Sequence, residues 1–280
     1  MMRKSEKNWL RVGAVLIISG LFLFALVMTL NGWDFTKLNA SPYETNIHEV
    51  TETFQHISIA TGTADICLVP SDDQKCRLVC HEPENARHTV VVEDDTLVIR
   101  MTDEKTWYKH IDFVSPTLTL YLPESEYGQL HIDESTGEVE IAHPFSFDGV
   151  EISVTTGDIR LENISAGAVS LSVSTGDTHL SYVACHSLTS TGSTGDAILT
   201  RVTANEKMTL NRSTGDIKLE RCDAGDIYIQ TSTGDVTGSL LSDKIFTVHT
   251  NTGHISVPDI HTGGRCEIRT STGDIAFEIH

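Results

Sequence analysis

Apolar and polar residues alternate in short runs along most of this chain. DIKLE, at Asp216 to Glu220, and DIYIQT, at Asp226 to Thr231, are two such runs. Alternation with a period of two residues is typical of a β-strand that buries one face. The pattern therefore predicts many short strands, and turn residues such as Gly and Asp separate them.

The alternating runs belong to a repeat that a Thr-Gly pair marks. From one marking glycine to the next, the repeat has 19 or 20 residues. Positions at fixed offsets from the mark are apolar in most copies, as at Leu161, Leu180 and Leu199, four residues after it. A fixed period of this length indicates stacked repeats. The eight marking glycines are Gly137, Gly157, Gly176, Gly195, Gly215, Gly234, Gly253 and Gly273.

Two architectures fit this repeat. In a β-solenoid each repeat is one coil, and equivalent residues of successive coils stack about 4.8 Å apart. In an antiparallel meander each repeat is a hairpin. The same residue types recur in every column, which favours the first. We predict an all-β fold, a β-solenoid with coils of about 19–20 residues, regular over residues 131–280. A second turn is expected in each coil, often at Gly: Ala166-Gly167, Ala224-Gly225 and Gly263-Gly264.

The Thr-Gly pair itself predicts a tight turn that closes each coil. Glycine tolerates positive φ, and an aspartate side chain caps the backbone of a turn. Threonine precedes the glycine in all eight copies, so a column of hydroxyls joined by hydrogen bonds along the axis is expected. The predicted role of the motif is structural, and we assign no catalytic or cofactor-binding residue.

A column of acidic residues follows the marking glycines. Stacked carboxylates about 5 Å apart repel each other by roughly 1 kcal/mol even in water, and bound Ca²⁺ would relieve that repulsion. The alternative, which the sequence favours, is a set of solvated aspartates that cap turns, because His254 breaks the run and the glycine-rich calcium repeat is absent. The candidate calcium ligands are Asp158, Asp177, Asp196, Asp216, Asp235 and Asp274.

The N-terminal region has a different character from the repeats. Residues 12–30 form an uncharged apolar run, long enough for a helix to span a bilayer. Four basic residues in the tail, residues 1–11, predict a cytoplasmic N-terminus. A cleaved signal peptide is the alternative, but its apolar region would be shorter. We predict a single-pass membrane protein with residues 31–46 as a linker and the β-domain outside the membrane.

Residues 47–130 contain strand patterns without the regular repeat. They predict irregular leading β-coils or a cap of the same domain, and ATGTADI, at Ala60 to Ile66, looks like a degenerate copy of the turn. The chain stops at FEIH, in the middle of a coil. That end predicts an open C-terminal sheet edge, through which the protein could associate with itself.

Composition narrows the partners and the chemistry. A formal charge of −19 argues against nucleic acid, whose phosphates require Lys and Arg. Cys222 and Cys266 fall in apolar columns and are expected to be buried free thiols. Cys76 and Cys80 lie on one face of a strand, and one of them is a candidate for a disulfide with Cys67. Cys185 falls in a turn and is expected to be exposed.

No catalytic motif of the metalloprotease, serine-hydrolase or phosphate-loop type occurs in the chain. Carboxylates are abundant, but their abundance alone does not indicate a glycosidase. We therefore predict a protein that is not an enzyme, with no cofactor. A polysaccharide-active β-helix enzyme is the least favoured alternative, because it rests on fold analogy alone.

The repeated STGDI-x-L followed by an apolar strand resembles the bacterial "putative adhesin" family of β-strand-repeat domains of unknown function. The resemblance covers roughly Phe54 to His280. It implies a β-solenoid-like domain at the cell envelope behind a membrane helix, and it brings no catalytic residues. The function predicted is adhesin-like interaction with envelope polymer, with proteins or with itself. The alternative is an accessory role in envelope-stress signalling through a membrane partner.

Overall fold

The computed structural model describes residues 4–30, 32–33, 42–101 and 115–280, which belong to two compact units. One unit contains helix α1, Lys4–Leu30. Its segment Val12–Leu30 is long and apolar enough to cross a membrane, a property that membrane anchors and signal sequences share. Met1 to Arg3 of the predicted tail, Asn31 and residues 34–41 of the predicted linker, and residues 102–114 of the predicted leading coils lie outside the described residues. The helix begins inside the predicted tail.

The other unit consists of β-strands in two sheets. Sheet A contains, in chain order, β1 (Tyr43–Val50), β3 (Asp65–Pro70), β4 (Cys76–Pro83), β7 (Thr117–Leu122), β9 (Val139–Ile141), β11 (Ile159–Glu162), β13 (Thr178–Ser181), β15 (Ala197–Thr200), β18 (Val236–Leu240), β20 (Ile255–Ser256) and β22 (Ile275–Ile279). Sheet B contains β2 (His56–Thr63), β5 (His88–Glu93), β6 (Thr96–Met101), β8 (Glu126–Thr136), β10 (Phe145–Thr156), β12 (Ile164–Thr175), β14 (Ala184–Thr194), β16 (Thr203–Thr214), β19 (Lys244–Thr252) and β21 (Gly264–Thr272). Strand β17 (Ile217–Gln230) pairs in both sheets.

Two predicted boundaries shift in the structure. The predicted linker is too long, because β1 already begins at Tyr43. The regular stack begins earlier than residue 131, because β8 starts at Glu126 and pairs with β10 in parallel. Both shifts arise from pairing with distant strands, which the local pattern does not report.

Successive coils stack in parallel, as a solenoid requires and a meander of hairpins forbids. Val150 pairs with Val169, and Ile152 pairs with Leu171, each 19 residues further along the chain. Their side chains lie between the two sheets and are at most 3% exposed. The columns of the sequence are therefore the ladders of the structure, and the solenoid prediction is confirmed.

The last two coils are stacked in reverse order. Strand β17 pairs with β21, and β21 pairs with β19; likewise β18 pairs with β22, and β22 with β20. The C-terminal coil is thus inserted between its two predecessors. The open edge of the stack belongs to β19 and β20, so the prediction of an open edge on the C-terminal strands is wrong.

The irregular leading part shows a similar inversion. Strands β2 and β3 lie between β6 and β7 on one side and β8 and β9 on the other. Antiparallel strands then extend both sheets: β5 beside β6, and β4 followed by β1 beside β7. In the degenerate turn copy, Thr63 pairs with Thr136, so Ala64 stands where later coils have glycine.

The second corner of the coils differs from the predicted Gly-containing turn. It lies at Asn163, Tyr182, Arg201 and Arg221, which have φ between 53° and 57°. The backbone N–H groups of the first three donate to carbonyls of the next coil, and this ladder compensates for the unfavourable conformation. Of the three predicted glycine pairs, Gly167 and Gly225 lie within the long strands β12 and β17, whereas Gly263 has φ +97° and lies in a bend just before β21, as predicted.

Candidate interaction surface

The Thr-Gly turns admit only glycine in this stack. The eight marking glycines have φ between +124° and +153°. A Cβ on any of them would lie 1.9–2.1 Å from a carbonyl oxygen of a neighbouring coil. The N–H groups of seven of these glycines also donate to threonine carbonyls, as Gly195 does to Thr214 at 3.0 Å; the exception is Gly253, in the coil at the open end. Hydrogen bonds along the axis therefore use the threonine carbonyls, and within the described residues the predicted hydroxyl column forms none.

The aspartates form a ladder of hydrogen bonds between coils. The Oδ1 of Asp158 accepts the backbone N–H of Asp177 at 2.8 Å, and the Oδ1 of Asp177 accepts that of Asp196 at 2.7 Å. The same bond continues through Asp216, Asp235 and Asp274 to the N–H of His254. Each aspartate thus caps the turn of the next coil. Calcium binding by this column stays a prediction.

A buried arginine explains several exceptions to the apolar columns. Arg212 is 4% exposed and donates to the hydroxyls of Thr178 at 2.9 Å and Ser190 at 3.2 Å. Its side chain lies over Gly192, where a Cβ would meet it at 3.0 Å. Burial lowers the pKa of the guanidinium, and the carboxylates of the aspartate ladder oppose that shift. The polar and small residues of three columns therefore form one interior cluster.

A buried carboxyl group, that of Glu134, lies nearer the leading coils. Glu134 is 1% exposed, and its Oε1 accepts the N–H groups of Thr136 and Ala64 at 3.1 and 3.3 Å, while Oε2 has no partner. Burial raises the pKa of this carboxyl to about 8 despite those two bonds. Glu134 is therefore largely protonated at neutral pH.

All six cysteines are free. Cys222 and Cys266 are buried, as predicted, and Cys76 and Cys80 are buried on one face of β4. The candidate disulfide with Cys67 does not form. Cys185 is 5% exposed and donates to the carbonyl of Thr203, so the prediction of an exposed thiol is wrong. Side chains alternate between the two faces of β14, and Cys185 occupies an inward-facing position.

The outward face of sheet B changes character in the middle of the stack. In the segments 170–174, 189–193, 209–213 and 228–232, which lie side by side in successive coils, every second side chain points away from the core and is uncharged and polar. We call these twelve residues the uncharged face; they are Ser170, Ser172, Ser174, Thr189, Thr191, Ser193, Thr209, Asn211, Ser213, Tyr228, Gln230 and Ser232, and all are exposed or half-buried. The preceding outward positions of β16 and β17 are charged, at Lys207 and Asp226. At the usual strand spacing the face is roughly 15 Å wide across the coils.

Charged residues surround the uncharged face. Glu151 lies beside Ser170 on one side, and Asp133 lies one coil further out, beyond Ser153. Glu267 and Arg269 lie on the other side, beside Tyr228 and Gln230. Sequence reasoning missed this face because it compared the apolar, threonine and aspartate columns and not the other outward columns. The uncharged residues become visible when the outward-facing columns between the apolar ones are aligned in the same register.

The open end of the stack is the second accessible feature. Strand β19 pairs only with β21 among the described strands, and β20 only with β22. Phe246, Val248 and Val257 pack against the core but are only half-buried, because no further coil covers them there. An unpaired strand edge of this kind can accept another strand.

Comparisons with known proteins agree with this architecture. A "putative lipid binding protein" from Parabacteroides distasonis has a TM-score of 0.56 at 15% identity, covering 84% of this chain and 97% of its own. A "putative adhesin" from Parabacteroides merdae has a TM-score of 0.50 at 11% identity, covering 84% and 96%. At these identities the likeness shows the fold alone. No curated protein matches this chain.

A family model extends over nearly all of the β-domain. Residues 54–207 and 199–278 match the model described as Toastrack DUF4097, well over half of the chain. This match confirms the resemblance seen in the repeats. The chain is a member of the Toastrack DUF4097 family.

Proposed function

We propose that this chain is a non-enzymatic, membrane-anchored cell-surface protein that binds an envelope polymer through the uncharged face. The single observation that supports this is the contrast between that face and the rest of the chain. The molecule has a formal charge of −19, yet twelve neighbouring outward side chains carry no charge. The N-terminal apolar helix supports the anchor, with its N-terminus cytoplasmic and the β-domain outside.

The chemistry of the face suits a polysaccharide. Hydroxyl and amide side chains both donate and accept hydrogen bonds, as sugar hydroxyls do. The ring of Tyr228 offers an apolar surface, with the Lys207 ammonium 4.6 Å from its centroid. Repetition in adjacent coils would add many weak contacts along a polymer chain. Because carboxylates are absent from the face, an anionic polymer is repelled less there than elsewhere.

The test is co-sedimentation of the full chain, in detergent micelles, with purified cell-wall sacculi. Thr189→Glu introduces a charge on an inner coil of the uncharged face. Thr200→Glu makes the same change in the same coil on the outward face of sheet A, and serves as the matched control. We expect saturable binding that Thr189→Glu weakens at least tenfold and Thr200→Glu leaves unchanged. No saturable binding, or equal loss in both variants, contradicts the proposal.

Self-association is a second candidate, and the unpaired edge of β19 and β20 favours it. Sedimentation velocity of the full chain measures it directly. Ile245→Lys adds a charge to edge strand β19 of sheet B, whereas Ile47→Lys adds one to β1, which lies in sheet A at the opposite end of the stack. Both side chains are exposed. Dimers that Ile245→Lys alone abolishes would support this candidate. A monomer at all concentrations would exclude it.

Envelope-stress signalling through a membrane partner is the remaining alternative. Specific cross-linking of the full chain to another membrane protein, without sacculus binding, would favour it. New reducing ends in glycan digests would instead favour the polysaccharide-active enzyme.

A further inference from the structure

The leading part of the solenoid contains a buried cluster of metal-binding side chains. Strands β1 and β4 are antiparallel neighbours in sheet A, with Asn46 opposite Cys80. Because every second residue points to the same face, His48, Cys80 and Glu82 share the inner side of the sheet. Cys80 and Glu82 are fully buried, and His48 is half-buried. Their ligand atoms all lie within 4.8 Å of one another.

Two of these ligand atoms have no other role in the structure. The Nε2 of His48 is buried and has no hydrogen-bond partner. The thiol of Cys80 makes no hydrogen bond within the described residues, whereas the thiols of Cys185 and Cys222 both donate to carbonyls. A buried polar atom without a partner is unfavourable, and a bound cation would satisfy both atoms at once.

The third ligand is held in place by its own hydrogen bonds. Asn46 Nδ2 donates to Oε1 of Glu82 at 2.9 Å. The backbone N–H of His88 donates to Oε2 at 2.9 Å, and the Nδ1 of His88 lies 2.7 Å from the same oxygen. The Nε2 of His88 in turn lies 2.8 Å from the hydroxyl of Thr61. Such outer contacts orient a metal-binding carboxylate and leave the second lone pair of Oε1 free.

We propose that His48, Cys80 and Glu82 bind a zinc ion at the N-terminal end of the β-domain. An imidazole nitrogen, a thiolate and a carboxylate are the three protein ligand types that Zn²⁺ accepts, with the fourth position left to water. A thiolate ligand disfavours Ca²⁺ and Mg²⁺, which prefer oxygen. The ion would join edge strand β1 to β4, and so stabilise the end of sheet A that follows the N-terminal helix in the chain.

The sequence gives no conventional sign of this site. His48 is more than 30 residues from Cys80, and Cys80 and Glu82 lack the paired spacing of zinc motifs. Only the pairing of β1 with β4 brings the three side chains together. The proposed ion is separate from the calcium column and from the uncharged face, so its test is independent of the proposed function.

The experiment uses the full chain in detergent micelles, reduced and stripped of metal with a chelator, and titrated with Co²⁺ and then Zn²⁺. We expect one equivalent of Co²⁺ to produce a cobalt–thiolate charge-transfer band that Zn²⁺ removes, and Zn²⁺ to raise the melting temperature. No such band in the wild-type chain overturns the proposal.

Variants identify the ligands. Cys80→Ser should abolish the band, and His48→Gln, which changes a half-exposed side chain and so is tolerated by the fold, should weaken Co²⁺ binding at least tenfold. Cys76→Ser is the matched control, since Cys76 is buried on the same face of β4, and Cys67→Ser tests the half-exposed thiol. Loss of the band in either control, or its persistence in Cys80→Ser, assigns the metal elsewhere and overturns the proposal.

Discussion

The turn glycines allow a sharp test of how the coils are held together. In Gly195→Ala, the new Cβ would lie 2.1 Å from the carbonyl oxygen of Gly176 and 2.9 Å from the Oδ1 of Asp177. The backbone at this position has φ +124°, a conformation that residues with a side chain rarely adopt. The chain must therefore either keep a strained turn or move the coil away from its neighbour.

The free-energy cost of each response can be given. A residue held in such a sparsely populated region costs about 1–3 kcal/mol. Moving the turn weakens the bond from the Gly195 N–H to the Thr214 carbonyl, a loss of about 0.5–1.5 kcal/mol. We expect a total destabilisation of roughly 2–4 kcal/mol. At about 2–4 °C per kcal/mol for a domain of this size, the melting temperature should fall by roughly 5–15 °C.

Gly62→Ala is the matched control. It makes the same chemical change in strand β2, where φ is not positive and the nearest atom to the new Cβ is 4.0 Å away. Removing a glycine from a strand interior is favourable by about 0.5–1 kcal/mol, so this variant should melt no earlier than wild type. Circular dichroism of the full chain in detergent micelles follows both. If Gly195→Ala loses no more stability than Gly62→Ala, the close-contact argument is wrong.

Three further predictions follow from the interior and the ladder. Asp196→Ala should lose roughly 1 kcal/mol in urea unfolding because the Asp216 N–H loses its acceptor, whereas Asp196→Asn should lose less. Adding Ca²⁺ to the metal-stripped wild-type chain should leave its stability unchanged, and a rise would support calcium in the column. Because the pKa of Glu134 is raised to about 8 in the folded state, the folded chain keeps a proton on this carboxyl that the unfolded chain loses, so wild-type stability should fall as pH rises from about 4.5 to 8. Glu134→Gln should flatten that fall, and an equal slope in the variant and the wild type would refute the raised pKa. Gly192→Val should clash with the Arg212 side chain, and Arg212→Val should leave the hydroxyls of Thr178 and Ser190 without their donor, so each variant should lower the free energy of unfolding by roughly 2–3 kcal/mol. The double variant restores the apolar column and should lose less than the sum of the two, and strict additivity in a double-mutant cycle would exclude the contact.

Much of the regular solenoid was predictable because its ladders are local copies of one another. Residues 19 or 20 apart in the chain lie in the same environment. The requirements for burial and for a tight turn therefore recur, and the same residue types appear at the same positions of each repeat. Gly195 and Asp196, for example, are fixed by contacts with Gly176 and Asp177, their own equivalents one coil earlier. A repeated motif of this kind reports its structural role directly.

The exceptions to the repeat were readable only with partners in view. Ser190 and Thr178 look like random polar interruptions until Arg212 is placed between them. The second corner was misplaced because a positive φ at Tyr182 or Arg201 is imposed by hydrogen bonds to the next coil and not by residue preference. Cys185 was misjudged for the same reason, since a turn was assumed where a strand continues.

The sequence by itself determined the period, the strands, the buried columns and the turn glycines, because each depends on contacts between equivalent positions. It also determined the apolar helix, which depends only on the length and composition of its own segment. Tertiary structure alone decided which coil lies at the open end: coils with nearly identical patterns can stack in either order, and the chain between β18 and β22 inserts the C-terminal one inside. It also decided that His48 meets Cys80 and Glu82. Antiparallel pairing of β1 with β4 joins residues far apart in the chain, and no periodicity connects them.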